Sequence, residues 1–395
     1  MATSIYLDNN ATTAVDPEVL EQMILYFSEH YGNAASLNHR FGKEAAEAVH
    51  NARLRIANLI GASEKEITFT SGATESINLA IKGVFNRYLS IGKHIITSQT
   101  EHRAVLDVCR YLEKKGAEIT YLAVDSKGQI DLNELKAAIR KDTILISLMY
   151  ANNETGVINP IHKIAEIAHA SNVLFFCDAT QAVGKVPVSL LETPIDLMAF
   201  SAHKIYGPKG VGALYIKRRN RRVQVEPLLH GGGQENHLRA GTLNVPGIVG
   251  FGAAVFKAQE LMSFESLRLQ ELRDYLETEI LKIAQTYSNG SSDSRLPHVL
   301  NITIRFLKAE QLMAKLGNIA MASGSACSTG SLEPSHVLLA MGLEKDDAHA
   351  SIRLSLGRFT TKEEIETTVQ LLKKEIAVLR KQSPIWQLYE KGMIK

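Results

Sequence analysis

The stretch Asp196-Leu197-Met198-Ala199-Phe200-Ser201-Ala202-His203-Lys204-Ile205-Tyr206-Gly207-Pro208-Lys209-Gly210 places a lysine shortly after an apolar segment. Residues 197–200 are predicted to form a buried β-strand, because short apolar runs bounded by polar residues are typical of strands covered on both faces. Lys204 then follows the carboxyl end of that strand, beside Ser201 and His203. The glycines after it allow the backbone to pass closely around a bound group. A lysine after a strand is usually exposed, so its position alone defines no site.

Working outward, similar strand-like runs occur at residues 66–70, 94–98, 119–122, 144–148, 173–177 and 212–216. Helical stretches separate most of them, and the first helix is predicted to begin where Asp16 precedes Pro17. This alternation predicts an α/β fold with a mostly parallel central sheet, in which ligands bind at the carboxyl ends of the strands.

The pattern changes after residue 256. A charged amphipathic stretch to residue 287 is followed by strand-like runs at 299–304 and 352–356 and by helices, one of which we expect Thr360 to cap. We therefore predict a large domain at 15–258 and a smaller α+β domain made of 1–14 plus 259–395.

Composition excludes several classes of function. The chain has 395 residues and a net charge of +2, so no global field draws in nucleic acid or an anionic membrane. The Arg218–Arg222 run is predicted to be a solvated turn. There is no basic and apolar leader and no apolar run of about 20 residues. Three widely spaced cysteines suggest neither disulfides nor a metal site, which predicts a reducing, cytoplasmic location.

Polar residues also follow two other predicted strands. The segment 70–76 has Gly72 and Thr74 at a strand-to-helix turn that could hold a phosphate, although a hydroxyl residue there is usually only a cap. Asp178 ends the run 173–177, where it either forms a structural ion pair or faces the protonated ring nitrogen of pyridoxal phosphate (PLP). With Lys204, these residues predict that the lysine carries PLP as a Schiff base.

The three cysteines differ in their surroundings. Cys109 shares a helical face with Val105, Leu106 and Leu112, and Cys177 lies in an apolar strand, so both are predicted to be buried structural thiols. Cys327 lies in the small, polar segment Ser323-Gly324-Ser325-Ala326-Cys327-Ser328-Thr329-Gly330, which predicts a mobile, exposed loop. On these grounds alone, a functional and an accidental cysteine are equally good interpretations.

The motifs SGATES, TEH, NNETG, DATQ, SAHKIYGPKG, GGGQE, AGT and SGSAC occur here in one order. With them the chain resembles cysteine desulfurases of the NifS/IscS type, which are PLP enzymes of fold type I in the class V aminotransferase family. The likeness runs from Tyr6 to Arg358. It implies conversion of L-cysteine to L-alanine, with a persulfide on Cys327 that supplies sulfur for iron–sulfur cluster assembly and other pathways.

The resemblance also implies residue roles. Lys204 would hold PLP and move the substrate's Cα proton, His102 would stack on the ring and serve in proton transfer, and Cys327 would be the nucleophile. The residues implied to bind the cofactor are Ala73, Thr74, His102, Asn153, Asp178, Gln181, Ser201, His203, Lys204 and Thr242. Asn153 and Arg353 would bind the substrate carboxylate. Thr242 would complete the phosphate site of the other subunit, which implies a homodimer.

Alternatives remain. A selenocysteine lyase or a cysteine sulfinate desulfinase would share the pocket, whereas an aminotransferase needs no thiol in a loop such as SGSAC. A catalytically silent scaffold protein would have lost Lys204, Asp178 or Cys327, and all three are present. No HExxH, paired CxxC or P-loop motif supports a metal or nucleotide site. The chain stops at Lys395, short of a tail that helps many IscS-type members dock an iron–sulfur scaffold, so we expect a sulfur acceptor of unspecified identity.

Overall fold

The computed structural model describes residues 4–219, 222–323 and 333–393. The strands in these ranges are β1 (Ile5–Tyr6), β2 (Ile67–Thr70), β3 (His94–Ser98), β4 (Glu118–Leu122), β5 (Thr143–Ser147), β6 (Leu174–Asp178), β7 (Leu197–Ser201), β8 (Gly212–Ile216), β9 (Thr286–Ser288), β10 (Val299–Ile304), β11 (Ile319–Ala320), β12 (Ala322–Ser323) and β13 (Ser351–Ser355). The α-helices are α1 (Pro17–Ser28), α2 (Arg40–Ile60), α3 (Ala73–Tyr88), α4 (Arg103–Glu113), α5 (Leu132–Ala138), α6 (Ile161–Ala170), α7 (Val245–Leu281), α8 (Ala309–Lys315), α9 (His336–Ala340), α10 (Lys345–His349), α11 (Lys362–Gln382) and α12 (Pro384–Glu390).

The largest sheet has seven strands in the order β2-β8-β7-β6-β5-β3-β4. Only β8 runs against its neighbours β2 and β7, and the other pairs are parallel. The predicted mostly parallel sheet is confirmed. Because the strand-ending polar residues predicted above follow parallel strands, they meet at one edge of this sheet.

Alternate residues of the central strands pack on opposite faces of the sheet. Phe175 and Cys177 belong to a core shared with α2, α6 and the first part of α7. Leu174 and Phe176 belong to a second core, shared with α3 and α4. Since successive side chains of a strand point to opposite faces, a strand buried on both sides must be apolar throughout. This is why the runs could be found in the sequence.

The later part of the chain forms an antiparallel sheet in the order β12-β13-β10-β9. Its core includes the end of α7 and the inner face of α11. The N-terminal strand β1 pairs in parallel with β11, and Ile5 enters the same core. Helix α7 crosses the proposed boundary between residues 258 and 259, and the division into 15–258 and 1–14 plus 259–395 stays a prediction.

Helix ends follow the local sequence with one correction. Asp16 caps α1 by accepting the Glu18 N–H at 3.1 Å, as predicted. The cap of α11 is Thr361, not Thr360, because Glu364 three residues further on completes a reciprocal capping box with Thr361. Within the described ranges, no helix has the length and apolar character needed to cross a membrane.

Candidate active site

A cavity of about 520 Å³ opens at the carboxyl ends of the parallel strands. Nine of the twelve residues predicted for the site line it, although they come from segments spread over more than 130 positions of the chain. These nine are Ala73, Thr74, His102, Asn153, Asp178, Gln181, Ser201, His203 and Lys204. Thr242 and Arg353 are not among its lining residues, and Cys327 lies outside the described residues.

One end of the cavity has backbone and side-chain groups that can bind an anion. Gly72 joins β2 to α3 with φ of +155°, a backbone angle that favours glycine, and no side chain caps the helix start. The free N–H groups and the positive end of the helix dipole are therefore available to a phosphate. Ser201 and His203 lie on the same wall. Burial, with Lys204 and other lysines nearby, lowers the pKa of His203 to about 4, so its ring is neutral.

Asp178 lies at the end of β6 and is only 5% exposed. Its Oδ1 accepts the backbone N–H of Thr180 at 3.0 Å and the Thr180 hydroxyl at 2.5 Å. No described residue donates a hydrogen bond to Oδ2. A buried carboxylate oxygen that faces a cavity favours a cationic or N–H partner there.

Lys204 lies in a single 3₁₀ turn that follows β7. Its Nζ donates to the carbonyl oxygens of Asn10 at 2.5 Å and Ala11 at 2.8 Å. The ammonium group is thus held at the cavity by the N-terminal segment, and the lysine is only partly exposed. A lysine removed from bulk water reaches its neutral, nucleophilic form more readily.

Gln181 belongs to a chain of hydrogen bonds behind the cavity wall. Its Nε2 donates to the Asn10 carbonyl at 3.0 Å, and its Oε1 accepts from Lys185 Nζ at 2.9 Å. Burial first, and then the charges of Lys204 and Arg353, hold the pKa of Lys185 well below its usual range. Lys185 therefore fixes the orientation of the Gln181 amide, so that its N–H₂ group faces the Lys204 side.

His102 is the N-cap of α4, and its Nδ1 accepts the Ala104 N–H at 3.1 Å. Because Nδ1 is an acceptor, the neutral ring carries its proton on Nε2. Burial lowers the pKa of His102; Asp178 opposes this shift and Lys204 adds to it. The ring is thus held in a neutral form suited to stacking, whereas accepting a proton at Nε2 would require the other tautomer.

Arg353 lies on β13, and its side chain is 4% exposed. One end of its guanidinium contacts Asp8 Oδ1 at 2.6 Å and another the Asn153 carbonyl at 3.0 Å. Its Nε is buried without a hydrogen-bond partner among the described residues. The guanidinium is thus partly engaged, and its binding of a substrate carboxylate stays a prediction.

Two of the three cysteines, and Thr242, lie within the described residues. Cys109 and Cys177 are buried free thiols, as predicted. Burial raises the pKa of Cys109 to about 12 and that of Cys177 well above its usual range. Thr242 is exposed on its own chain. Cys327 lies outside the described residues, so its predicted role is not addressed by the structure.

Several buried or partly buried polar residues at the site were not predicted individually. Glu101 and Glu154 belong to recognised motifs, and their position beside predicted residues was the only signal; Asn10 lies only within the stretch of resemblance that begins at Tyr6. Lys185 and His298 gave no signal, because a lysine and a histidine in ordinary surroundings are usually solvated or structural. His298 Nε2 bonds Asn10 Oδ1 at 2.9 Å, and burial keeps the pKa of His298 well below its usual value.

The cavity fits PLP on structural grounds. A phosphate can meet the uncapped start of α3, the ring nitrogen can meet the open oxygen of Asp178, and the aldehyde carbon can reach the amine of Lys204. The ring of His102 is available for stacking.

Comparison with known proteins agrees with this chemistry. The family model for aminotransferase class-V matches residues 5–368. The chain is 52% identical to cysteine desulfurase IscS of Salmonella paratyphi B over 395 residues, covering all of this chain and 98% of that protein. A NifS-like protein structure superposes with a TM-score of 0.89 at 38% identity, covering 95% of this chain and 100% of the other.

A structure of SspA in complex with cysteine superposes with a TM-score of 0.80 at 36% identity, covering 91% of this chain and 100% of that one. These matches agree over nearly the full length, and they include the segments that form the cavity. This chain belongs to the class V aminotransferase family and, within it, to the cysteine desulfurases.

Proposed function

We propose that the protein is a PLP-dependent desulfurase that converts L-cysteine to L-alanine and forms a persulfide on Cys327. The supporting observation is that Lys204, Asp178 and the start of α3 share one cavity, in a chain 52% identical to an IscS cysteine desulfurase over its whole length. The relative solved with cysteine supports L-cysteine as the substrate.

PLP supplies an electron sink that acidifies the substrate Cα and labilises the bond from Cβ to sulfur. Asp178 keeps the ring nitrogen protonated. Two hydrogen bonds from Thr180 fix the position of the Asp178 carboxylate at the edge of the sheet. Lys204 first holds the cofactor and then, as a free amine, takes the Cα proton. Gln181, oriented by Lys185, offers an N–H to an oxygen on the Lys204 side of the cavity.

Sulfur transfer balances without an added oxidant. The Cys327 thiolate attacks the substrate sulfur, an S–S bond forms, and the bond from Cβ to sulfur breaks with its electron pair moving to carbon. Protonation of that carbon and return of a proton to Cα from Lys204 complete L-alanine, and the enzyme keeps the second sulfur as a persulfide. Excess thiol in solution, or an acceptor protein, then removes it.

The test compares Lys204→Ala with Lys127→Ala, an exposed lysine in a turn far from the cavity. Lys204→Ala should lose the absorption band of lysine-bound PLP and all alanine formation, whereas Lys127→Ala should keep both. A retained band in Lys204→Ala would exclude the proposed cofactor lysine.

A second pair of variants tests the nucleophile. Cys327→Ala should still show a spectral change on adding L-cysteine, but it should neither carry a persulfide nor release sulfide to excess thiol. Cys109→Ala should release sulfide normally, since that thiol is buried on α4. Undiminished sulfide release by Cys327→Ala would show that another group is the nucleophile. Selenocysteine, offered in parallel, distinguishes a selenocysteine lyase by faster alanine formation.

We also propose a homodimer in which Thr242 binds the phosphate held by the partner subunit. Thr242 is exposed on its own chain, and apolar side chains of α1, including Ile24 and Phe27, are more than half exposed. Exposed apolar surface of this kind is typically covered by another subunit in an oligomer. Light scattering should give twice the chain mass, and Thr242→Ala should weaken PLP retention; a monomer with unchanged retention contradicts this proposal.

The persulfide is proposed to pass to a sulfur-acceptor protein such as an iron–sulfur scaffold, in the cytoplasm. The free, buried state of Cys109 and Cys177 suits a reducing compartment. Transfer of ³⁵S from loaded enzyme to a purified scaffold protein tests this step, with the Cys327→Ala variant as the control. Label that stays on the loaded wild-type enzyme would exclude such an acceptor.

A further inference from the structure

A buried carboxylate lies directly behind the wall of the cavity. Glu154 follows Asn153, which lines the cavity, and Glu154 is only 2% exposed. Its Oε2 accepts the hydroxyl of Ser335 at 2.5 Å, and Ser335 is equally buried. A buried hydrogen bond to a carboxylate is strong and costly to break, so these two segments are firmly joined.

Ser335 begins a short structured segment that has a second polar contact with the same wall. Its Oγ also accepts the Leu338 N–H at 3.2 Å, which caps α9. The next residue, His336, bonds the Glu101 carbonyl through Nε2 at 3.0 Å. Val337 and Leu338 are buried beneath these contacts. The segment is thus attached to both Glu154 and Glu101, each of which precedes or follows a predicted site residue.

The described residues that precede Cys327 in the sequence are attached to the same part of the cavity wall. Ala322 on β12 pairs with Arg353 on β13, and Arg353 donates to the carbonyl of Asn153. Cys327 lies five positions after Ala322 and eight before Ser335 in the sequence. Both flanking attachments therefore converge on the Asn153–Glu154 peptide.

We propose that Glu154 is a positioning residue for sulfur transfer, holding through Ser335 the chain that follows the nucleophilic Cys327 against the cavity wall. This inference rests on the proposed function, because it assigns the nucleophile to Cys327. Glu154 itself is not among the residues that line the cavity. We expect it to hold Ser335, and with it the described chain that follows the predicted nucleophile, at the cavity wall, and so to favour sulfur transfer.

The charge of Glu154 is set by groups on several elements. Burial raises the pKa of Glu154 to about 7, while the Ser335 hydroxyl, Arg353 of β13 and Arg103 of α4 oppose that rise. From β10, the Asn301 amide binds the Glu154 carbonyl and not its carboxylate. A carboxylate accepts the Ser335 hydroxyl more strongly than a carboxylic acid does. The attachment therefore strengthens as pH rises through about 7.

The first experiment separates cofactor chemistry from sulfur transfer. In the PLP-loaded enzyme, Glu154→Ala should lower kcat for sulfide release about tenfold, since one charge-assisted hydrogen bond is lost. The absorption band and the spectral change on adding L-cysteine should remain. Glu154→Gln, which keeps an acceptor for Ser335, should recover most of the activity, and Ser335→Ala serves as the second variant if Glu154→Ala does not fold.

Thr361→Ala is the matched control, because Thr361 also caps a helix and pairs with a glutamate, but at an exposed site. It should release sulfide at the wild-type rate. Full sulfide release by Glu154→Ala and by Ser335→Ala would overturn the proposal. Equal loss of the L-cysteine spectral change and of sulfide release would also overturn it, by placing the effect in the cavity. A wild-type enzyme that releases no sulfide would instead refute the proposed function.

The second experiment uses the rate at which iodoacetamide alkylates Cys327, since Cys109 and Cys177 are buried. The ratio of this rate in wild type to that in Glu154→Gln cancels the titration of the thiol itself. Between pH 6 and 8 the ratio should change severalfold, with a midpoint near the Glu154 pKa of about 7. A ratio that stays constant over this range would show that protonation of Glu154 does not control the attachment to Ser335.

Discussion

The ion pair between Arg53 and Glu235 supports the strand that leads into the anion site, and breaking it should be costly. Arg53 donates to both carboxylate oxygens of Glu235 at 2.9 and 2.7 Å, and the Phe69 N–H of β2 donates to the same group at 2.7 Å. The side chains are 17% and 2% exposed. Arg53→Met would leave a buried carboxylate with one donor, which should cost about 3–5 kcal/mol of the unfolding free energy.

Glu235→Gln should cost less, about 1–3 kcal/mol, because the amide oxygen still accepts from Phe69 and the Arg53 charge that remains is partly exposed and still donates to the Ile67 carbonyl. The matched control is Arg40→Met, whose partner is Glu44 one helical turn away. Arg40 is 81% exposed, so its loss should cost less than about 0.5 kcal/mol.

Urea unfolding of the PLP-loaded enzyme, followed by the cofactor band and by far-ultraviolet circular dichroism, measures these costs. The single tryptophan, Trp386, packs against Phe306 and Tyr389 in the C-terminal part, so its fluorescence reports on a different region. In Arg53→Met the cofactor band should be lost at lower urea than in Arg40→Met, and before the Trp386 signal changes. Equal midpoints for Arg53→Met and Arg40→Met would refute the reasoning from burial.

Three further predictions concern the cavity. Since its pKa is lowered by burial and Nδ1 caps α4, His102 should show mainly the neutral Nε2–H tautomer by ¹⁵N NMR at pH 7 to 8; a mainly imidazolium signal at pH 7 would contradict this. Burial, followed by the nearby Asp178 charge, raises the pKa of Glu101 well above its usual range, so the folded state keeps a proton that the unfolded state loses, and stability should fall as pH rises above about 4.5. Glu101→Gln should remove that slope between pH 5 and 8 in the unfolding free energy, and an unchanged slope would assign it to another group. Arg353→Lys should raise KM for L-cysteine about tenfold, since lysine cannot make a two-pronged contact, and an unchanged KM would place the carboxylate elsewhere.

The sheet was predictable from the sequence because its strands are buried on both faces and therefore apolar throughout. That the turn at residues 70–76, Asp178 and Lys204 meet at one edge of the sheet was predictable for a related reason, since polar residues that end such strands lie at the same edge. Helix ends are less well determined by sequence, and the prediction of Thr360 as a cap was wrong although Thr360 and Thr361 are both good N-cap residues. Only the position of Glu364 distinguishes them, through the capping box.

Contacts between distant segments were beyond prediction. Arg53 and Glu235 lie 182 positions apart, and neither belongs to a pattern that implies the other. Lys185 was equally unpredictable, because nothing in the neighbouring sequence distinguishes it from an exposed lysine in a helix or turn. A partly buried lysine is recognised only when its surroundings are known, because the sequence does not specify which surfaces will enclose it.

Asn10 shows most clearly how the two parts of the chain complete one site. Its carbonyl accepts from both Lys204 and Gln181, and its amide binds the Asn153 carbonyl and His298. Four residues that lie up to 288 positions from Asn10 in the sequence therefore contact one side chain and one peptide of the N-terminal segment. If Lys204 carries the cofactor as proposed, its contact with the Asn10 carbonyl is expected to change, while the other three bonds can keep Asn10 in place. We therefore expect the N-terminal segment, which is anchored by the pairing of β1 with β11, to stay in place when Lys204 moves.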